Sequence, residues 1–358
     1  MKDNFLNSIY QKCTTKQSIT QSEALKILAE VPLLDLVQTA YKVRYEKWKN
    51  TVTIHIINNI QNGFCPEDCS YCAQAKTAKT GINDYPIKSD EEILNEAKAA
   101  YERGAFRYCM VSAGRGPSKR RVSKLAELIS KIKEKYPIQV CLSPGLLNDE
   151  SATTLKEAGL DRLNHNLNTS KNRYQEICST HTYQDRLNTL QSAKKAGLEL
   201  CSGMIVGMGE SNEEIIELAT KFKELEVPSI PINFFIPIEG TPLSQKTPTN
   251  LSPEFCVRIL CLMRFFNPNA EIRIAAGREL HLRSLQGLAL HAANSIFMDG
   301  YLNATGTNQV ETLQIIKDNG FTIESEFDLE LLLKTSELNV KLKSLSELNP
   351  AKKVTVKT

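Results

Sequence analysis

The sequence predicts an α/β protein built on a (β/α)8 TIM-type barrel, with an N-terminal helical extension and a short C-terminal tail. Three observations lead there. Between Thr51 and about residue 300, short β-rich runs alternate with helix-period stretches eight times over. The span from 53 to 297 is close to the roughly 250 residues typical of such a barrel. A polar loop carrying three cysteines comes directly after the first β-rich run, at the strand end where barrels keep their chemistry. A doubly wound open sheet shares the alternation, but eight repeats favour closure.

Residues 1–50 form the helical extension. Thr20 with Glu23 is a capping box, Pro32 breaks the helical run after it, and Leu33, Leu36, Val37, Ala40 and Tyr41 then recur at helical spacing. Residues 51–300 form the barrel. Its strands are expected at Thr53–Ile57, Phe106–Ser112, Gln139–Leu142, Asp161–Asn168, Leu198–Val206, Ser229–Ile236, Glu271–Ala275 and Ala293–Phe297. Ser89 with Glu92 and Ser211 with Glu214 cap intervening helices, and Ser252 before Pro253 opens another. Residues 301–358 contribute a helix over 310–319, a charged stretch with scattered leucines, and a short, basic, mobile tail.

The composition excludes several function classes. Apolar residues make up 41% and charged residues 24%, with 44 basic against 41 acidic side chains and a net charge of +3. Nucleic acid would need a clustered basic face, and Lys119, Arg120 and Arg121 read as a solvated helix start. Met1 to Lys12 lacks the apolar core of a signal peptide, and no stretch approaches a membrane span. Ten cysteines in a chain without an export signal read as reduced thiols or metal ligands, which fits a reducing cytoplasm.

Cys65, Cys69 and Cys72 stand in a C-x3-C-x2-C spacing, with Gly63 and Pro66 marking a loop. Three crowded thiolates repel one another unless a metal holds them, and soft sulfur selects zinc, copper(I) or iron–sulfur clusters. A structural zinc site wants four closed ligands, and no fourth cysteine stands nearby as in a ferredoxin run. The loop suits a [4Fe–4S] cluster with one iron left open. Two alternatives stand beside it: a zinc half-site completed by a distant histidine such as His55, and buried cysteines acting as small hydrophobes.

With Tyr71 as the aromatic of C-x3-C-x-aromatic-C, the loop resembles the radical S-adenosylmethionine superfamily. That resemblance implies that the open iron binds the amino and carboxylate groups of S-adenosylmethionine, and that Cys65, Cys69 and Cys72 are the catalytic cysteines. Cys109, Cys141, Cys201 and Arg273 also fall within predicted strands, where side chains alternate inward and outward. Each cysteine alone could be a small buried hydrophobe, whereas arginine is almost never fully buried without a partner.

The segments 106–110, 164–170, 182–187, 201–207, 276–279 and 293–297 narrow the similarity to the biotin synthase family, over about residues 50–320. Membership implies radical insertion of sulfur between two saturated carbons of dethiobiotin, with reductive cleavage of S-adenosylmethionine to methionine and a 5′-deoxyadenosyl radical. It implies a second, [2Fe–2S] cluster on Cys109, Cys141, Cys201 and Arg273, a homodimer, and a reducing electron donor protein. Tyr71, Asn166, Asn168 and Arg186 would contact S-adenosylmethionine, Arg186 through the methionyl carboxylate because a guanidinium matches it bidentately. Asn168 stands where some members carry Asp, an amide replacing a carboxylate.

Asn164, Asn166 and Asn168 share one strand face by the period of two. Asn164, Asn166 and Asn233 would line the dethiobiotin pocket, where an amide offers donor and acceptor to the ureido ring. The segment 203–210 is glycine-rich, which permits close approach to a ligand. Cys13, Cys178, Cys256 and Cys261 match no ligand position and read as structural. A hydrogenase-maturation relative would be the nearest other enzyme, and a non-catalytic iron–sulfur or zinc protein the alternative of another class.

Overall fold

A computed structural model describes residues 2–245 and 251–333; the stretch beyond 333, including the expected tail, lies outside the described residues. The parallel strands are β1 (Thr51–Gln61), β2 (Arg107–Ser112), β3 (Gln139–Ser143), β4 (Arg162–Asn164), β5 (Glu199–Cys201), β6 (Met204–Val206), β7 (Ser229–Phe234), β8 (Glu271–Ile274) and β9 (Ser295–Phe297). They run β1-β2-β3-β4-β5-β7-β8-β9, and β1 pairs back onto β9 with Thr53 opposite Ser295. The barrel is closed, as the eightfold alternation predicts.

Two strands depart from expectation. The fifth stave is two short pieces, β5 and β6, both paired to β7 and broken at Ser202 and Gly203. A Cβ on Gly203 would strike the Pro231 carbonyl, so this glycine serves strand packing rather than ligand approach. The fourth strand ends at Asn164 instead of Asn168. Asn168 takes a left-handed φ of 68° and keeps only an isolated bridge to Met204.

The outer helices start where the sequence signals them. Ser89, Ser118, Asn148, Thr182, Ser211 and Ser252 each accept a bond from the backbone N–H three residues on. Over Lys119–Lys135 the buried Val122, Leu125, Leu128, Ile129 and Ile132 form one stripe against the sheet.

The extension is three helices, α1 (Lys2–Thr14), α2 (Gln21–Ala29) and α3 (Leu33–Trp48), packed on the helix Pro253–Phe266. That helix is buried from Cys256 to Phe266 because the extension covers its outer side. Cys13, Cys256 and Cys261 are buried, and Cys13 Sγ donates to the Phe265 carbonyl at 3.3 Å.

After residue 300 the structure holds more than the expected helix and tail. A hairpin, β10 (Gly300–Tyr301) and β11 (Ala304–Thr305), leads into the helix Gln309–Asp318. Strand β12 (Thr322–Ile323) then pairs with the first residues of β1.

One residue ties these additions together. Arg44 on α3 is fully buried, donating to the carbonyls of Ala293 (2.8 Å), Thr51 (2.7 Å) and Lys49, with its guanidinium 4.6 Å over the Phe321 ring. Arg44→Ala strands those carbonyls without donors. Unfolding by denaturant should show a loss of about 3 kcal/mol or more, from ~1–3 kcal/mol per unsatisfied buried group. A loss below about 1 kcal/mol would show that Arg44 is not the clamp.

Candidate active site

The cysteine loop leaves the C-terminal end of β1 and is pinned at several points. Ser70 N donates to the Ile177 carbonyl at 2.9 Å, and Leu243 N donates to the Ser70 carbonyl at 3.0 Å. Asp68 accepts from the backbone of Ser179 (2.9 Å) and Thr180 (3.2 Å). Cys65 and Cys72 face the barrel's central cavity, while Cys69 lies with its sulfur 3.6 Å from Cys178.

Burial pushes the Cys65 thiol up and that of Cys72 up to about 11; Cys69 is raised first by its bond with Cys178, then by burial. Three such thiols become thiolates together only when a soft cation supplies the opposing charge.

The structure changes two details of the loop's surroundings. His55 is not beside the thiols: it lies lower in the barrel, 3.6 Å from Glu271. The imidazole at the loop is His181, whose Nδ1 is 3.3 Å from Cys178 Sγ and also meets the Glu67 carboxylate. Cys178, read from the sequence as merely structural, is therefore part of the loop's immediate surroundings.

The second set converges on the barrel interior from four strands. Cys109 on β2 lies opposite Cys141 on β3, and both are buried along with Cys201 on β5, near enough that each thiol influences the ionisation of the next. Arg273 on β8 is 1% exposed. Its Nε donates to Ser295 Oγ at 3.0 Å, and its Nη2 to Ser229 Oγ at 3.0 Å and to Glu271. Nη1 is left facing Cys201 Sγ at 3.8 Å.

The period of two then places Arg107 one layer below Cys109, and Glu271 one layer below Arg273. Burial opposes the Arg273 charge, but Glu271 and then the three cysteines outweigh it and hold the guanidinium protonated. Burial keeps His55 neutral.

Both sets open into one cavity of about 290 Å³. Cys65, Cys72, Cys109, Cys141 and Arg273 line it together with Tyr71, Asn164, Asn166, Asn168, Arg186 and Asn233. The asparagines do not share a strand face, because β4 stops at Asn164; Asn166 and Asn168 reach the cavity from the loop beyond it. Asn164 donates to Cys201 Sγ at 3.1 Å and to Asn166 Oδ1 at 3.2 Å, and Asn168 donates to the Tyr71 hydroxyl at 2.5 Å.

Asn233 is hydrogen-bonded through both ends of its amide. It donates to the Met204 carbonyl at 3.0 Å and accepts from Ala276 N at 3.2 Å, bracing β6, β7 and the segment after β8.

Arg186 is buried and meets no carboxylate; it donates to the Asn166 carbonyl at 2.7 Å and the Tyr174 hydroxyl, and lies 2.9 Å from His181 Nε2. Among the described residues, no ion pair reaches it.

Sequence reasoning missed His165, which lines the cavity with its Nε2 unpartnered. Strand alternation would send it to the face opposite Asn164, so the signal was hidden by the assumed strand length. It also missed Tyr301, Leu302 and Asn303 of the hairpin, which complete the cavity wall.

Comparison with known proteins agrees with this architecture. Residues 60–222 match the Radical SAM superfamily, and residues 231–322 match the Biotin and Thiamin Synthesis associated domain. The biotin synthase of Leptospira biflexa serovar Patoc is 54% identical over 84% of this chain and 85% of its own length. The crystal structure of methylornithine synthase superimposes with a TM-score of 0.77 at 21% identity, covering 91% of this chain and all of the other. An FeFe-hydrogenase maturase from Carboxydothermus hydrogenoformans superimposes with a TM-score of 0.75 at 19% identity, covering 91% of this chain and 80% of its own. At those identities the two structures speak for the fold alone.

Proposed function

Because the chain belongs to the biotin synthase family, within the radical S-adenosylmethionine superfamily, we propose that it converts dethiobiotin to biotin by radical insertion of sulfur between two saturated carbons. Such C–H bonds carry no acidic proton, so general-base chemistry cannot open them. A [4Fe–4S] cluster held by Cys65, Cys69 and Cys72 supplies, when bound, the electron that cleaves S-adenosylmethionine to methionine and a 5′-deoxyadenosyl radical. The observation that carries the reading is that two separate cysteine sets face one cavity.

The chain's own residues bind and orient. Arg186, buried without an anionic partner, receives the methionyl carboxylate as a two-pronged donor. Tyr71, Asn166 and Asn168 contact the rest of S-adenosylmethionine, with the bond from Asn168 to Tyr71 fixing both side chains. Asn164, Asn166 and Asn233 meet the ureido ring. Asn233 spends one donor and one acceptor on the backbone and keeps one of each for the ligand.

Cys109, Cys141, Cys201 and Arg273 hold a [2Fe–2S] cluster that supplies the inserted sulfur. A carbon radical formed in the cavity needs sulfur within bonding reach, and free sulfide would be neither close nor protected. The donor set supports this, since Cys109, Cys141 and Cys201 are buried together and Arg273 keeps Nη1 turned toward Cys201. The reading includes a homodimer and a reducing electron donor protein. It also places the enzyme in a reducing cytoplasm, which the ten free cysteines support. Among the described residues, no helix is long and apolar enough to cross a membrane.

Replacing Cys69 with Ala should abolish 5′-deoxyadenosine formation, because a three-ligand loop has no spare; retained cleavage in that variant rejects the assignment. Arg186→Lys keeps the charge but loses the fork. Calorimetry should show S-adenosylmethionine binding weakened about tenfold, or ~1.4 kcal/mol, with dethiobiotin binding changed less. For the sulfur source, the second site is rebuilt with labelled sulfide and a single turnover is run. Label should appear in biotin, with some product from Arg273→Lys and none from Cys141→Ala. Unlabelled biotin would falsify the sulfur assignment while leaving the first site intact. Iron and sulfide counting after anaerobic reconstitution separates all of this from a zinc protein.

A further inference from the structure

Below the second cysteine set lies a layer of charge that the chemistry above does not use. Glu271 on β8 is 3% exposed. Its Oε2 is 3.2 Å from Arg107 Nη1 on β2 and 3.2 Å from Arg162 Nη1 on β4. Its Oε1 accepts from Ser229 Oγ at 2.9 Å and from Arg273 Nη2, and lies 3.6 Å from His55 Nε2. One carboxylate therefore meets three guanidiniums from three strands at the barrel axis. Two further acids come near: Glu199, half exposed, binds Arg162 at 2.6 Å, and the exposed Glu324 lies within electrostatic range of Glu271 and Arg107.

With His55 neutral, three buried positive charges face the buried carboxylate of Glu271 and the half-exposed one of Glu199, which leaves one positive charge over. A positive excess in a low-dielectric interior is costly unless an anion completes it. Three thiolates around iron and sulfide provide one on the side where Arg273 Nη1 points. The same carboxylate also fixes how Arg273 points. With Nε on Ser295 and Nη2 on Ser229 and Glu271, the guanidinium plane cannot rotate, and Nη1 is held toward Cys201.

We infer that Glu271 is the positioning residue of the second site: it orients Arg273 toward the three sulfurs, and with Arg107 and Arg162 it sets the reduction potential of the cluster bound there. This rests on the reading that Cys109, Cys141, Cys201 and Arg273 hold that cluster. Glu271 touches neither substrate nor reacting atoms and acts through Arg273 and through its field. Removing a nearby negative charge favours the reduced, more negative cluster; removing a nearby positive charge disfavours it. The two changes therefore have opposite signs, which a purely structural role would not produce.

The experiment reconstitutes the full chain anaerobically with iron and sulfide. Each cluster's midpoint potential is then titrated with redox dyes and read by absorbance and electron paramagnetic resonance. Glu271→Gln should shift the second cluster's potential upward and Arg162→Gln downward, while the first cluster in the same sample stays within error of the parent. Unmoved potentials, or shifts of the same sign in both variants, overturn the inference while leaving the second cluster itself standing. If Glu271→Gln does not fold, Arg162→Gln decides alone: a downward shift supports the inference, and any other result overturns it. A parent protein that takes up only one cluster type overturns both this inference and the reading beneath it.

Discussion

A guanidinium withdrawn from water has to be met by acceptors, and this fold withdraws many of them. Arg44, Arg107, Arg162, Arg186, Arg264, Arg273 and Arg278 are all buried. Their partners sort them by role. Arg44 and Arg264 donate largely to backbone carbonyls, Arg264 to Ala292 (2.9 Å), Pro268 (3.0 Å) and Ala270 (2.7 Å). Arg44 ties the extension, and Arg264 the helix Pro253–Phe266, to the segments that flank the last staves, and they stabilise the frame. Arg107, Arg162 and Arg273 converge on Glu271 and leave charge over. Arg186 meets no carboxylate among the described residues. Unmatched positive charge thus gathers around the cavity, where an anionic cluster set and a carboxylate-bearing cofactor are proposed to bind.

Much of this was legible in the sequence, for physical reasons. Parallel strands covered on both faces and capped helices leave strong local signals, so the barrel and its closure could be read directly. The C-x3-C-x2-C loop was legible because thiol spacing reports chemistry without needing the fold. Where reading failed, a local rule had been extended past the point at which tertiary contacts take over. Strand alternation was carried from Asn164 to Asn168, although the chain leaves the sheet at Asn164 and turns through a left-handed residue. That single overextension misplaced the asparagines and hid His165. The glycine-rich stretch after Cys201 fits either a tight βα loop or close approach to a ligand, and Gly203 answers to the Pro231 backbone.

Other features could not be read because they join distant segments. His181 and Cys178 reach the cysteine loop across more than a hundred residues. Glu271 is a nearer miss. Glu271 and Arg273 are two apart on one strand, so both must face the same way, and an acid and a base facing inward already imply a buried network. What the pair alone could not disclose was that Arg107 and Arg162 share the same carboxylate.

The segment least legible in the sequence bears directly on the cavity. Tyr301 packs edge-on against Phe297 with ring centres 5.4 Å apart, and Phe297 lies 5.0 Å from the Arg273 guanidinium. Asn303 exchanges bonds of 2.9 and 3.1 Å with Asn62, the residue from which the cysteine loop departs. The hairpin after residue 300 therefore binds to both sites at once, through Phe297 below and Asn62 above. A radical generated in such a space is useful only while water and stray hydrogen donors stay out. A hairpin that lines the cavity and is anchored to the loop couples the order of one site to the wall of the other. The C-terminal segment therefore belongs to the active site, although its own sequence carries no catalytic motif.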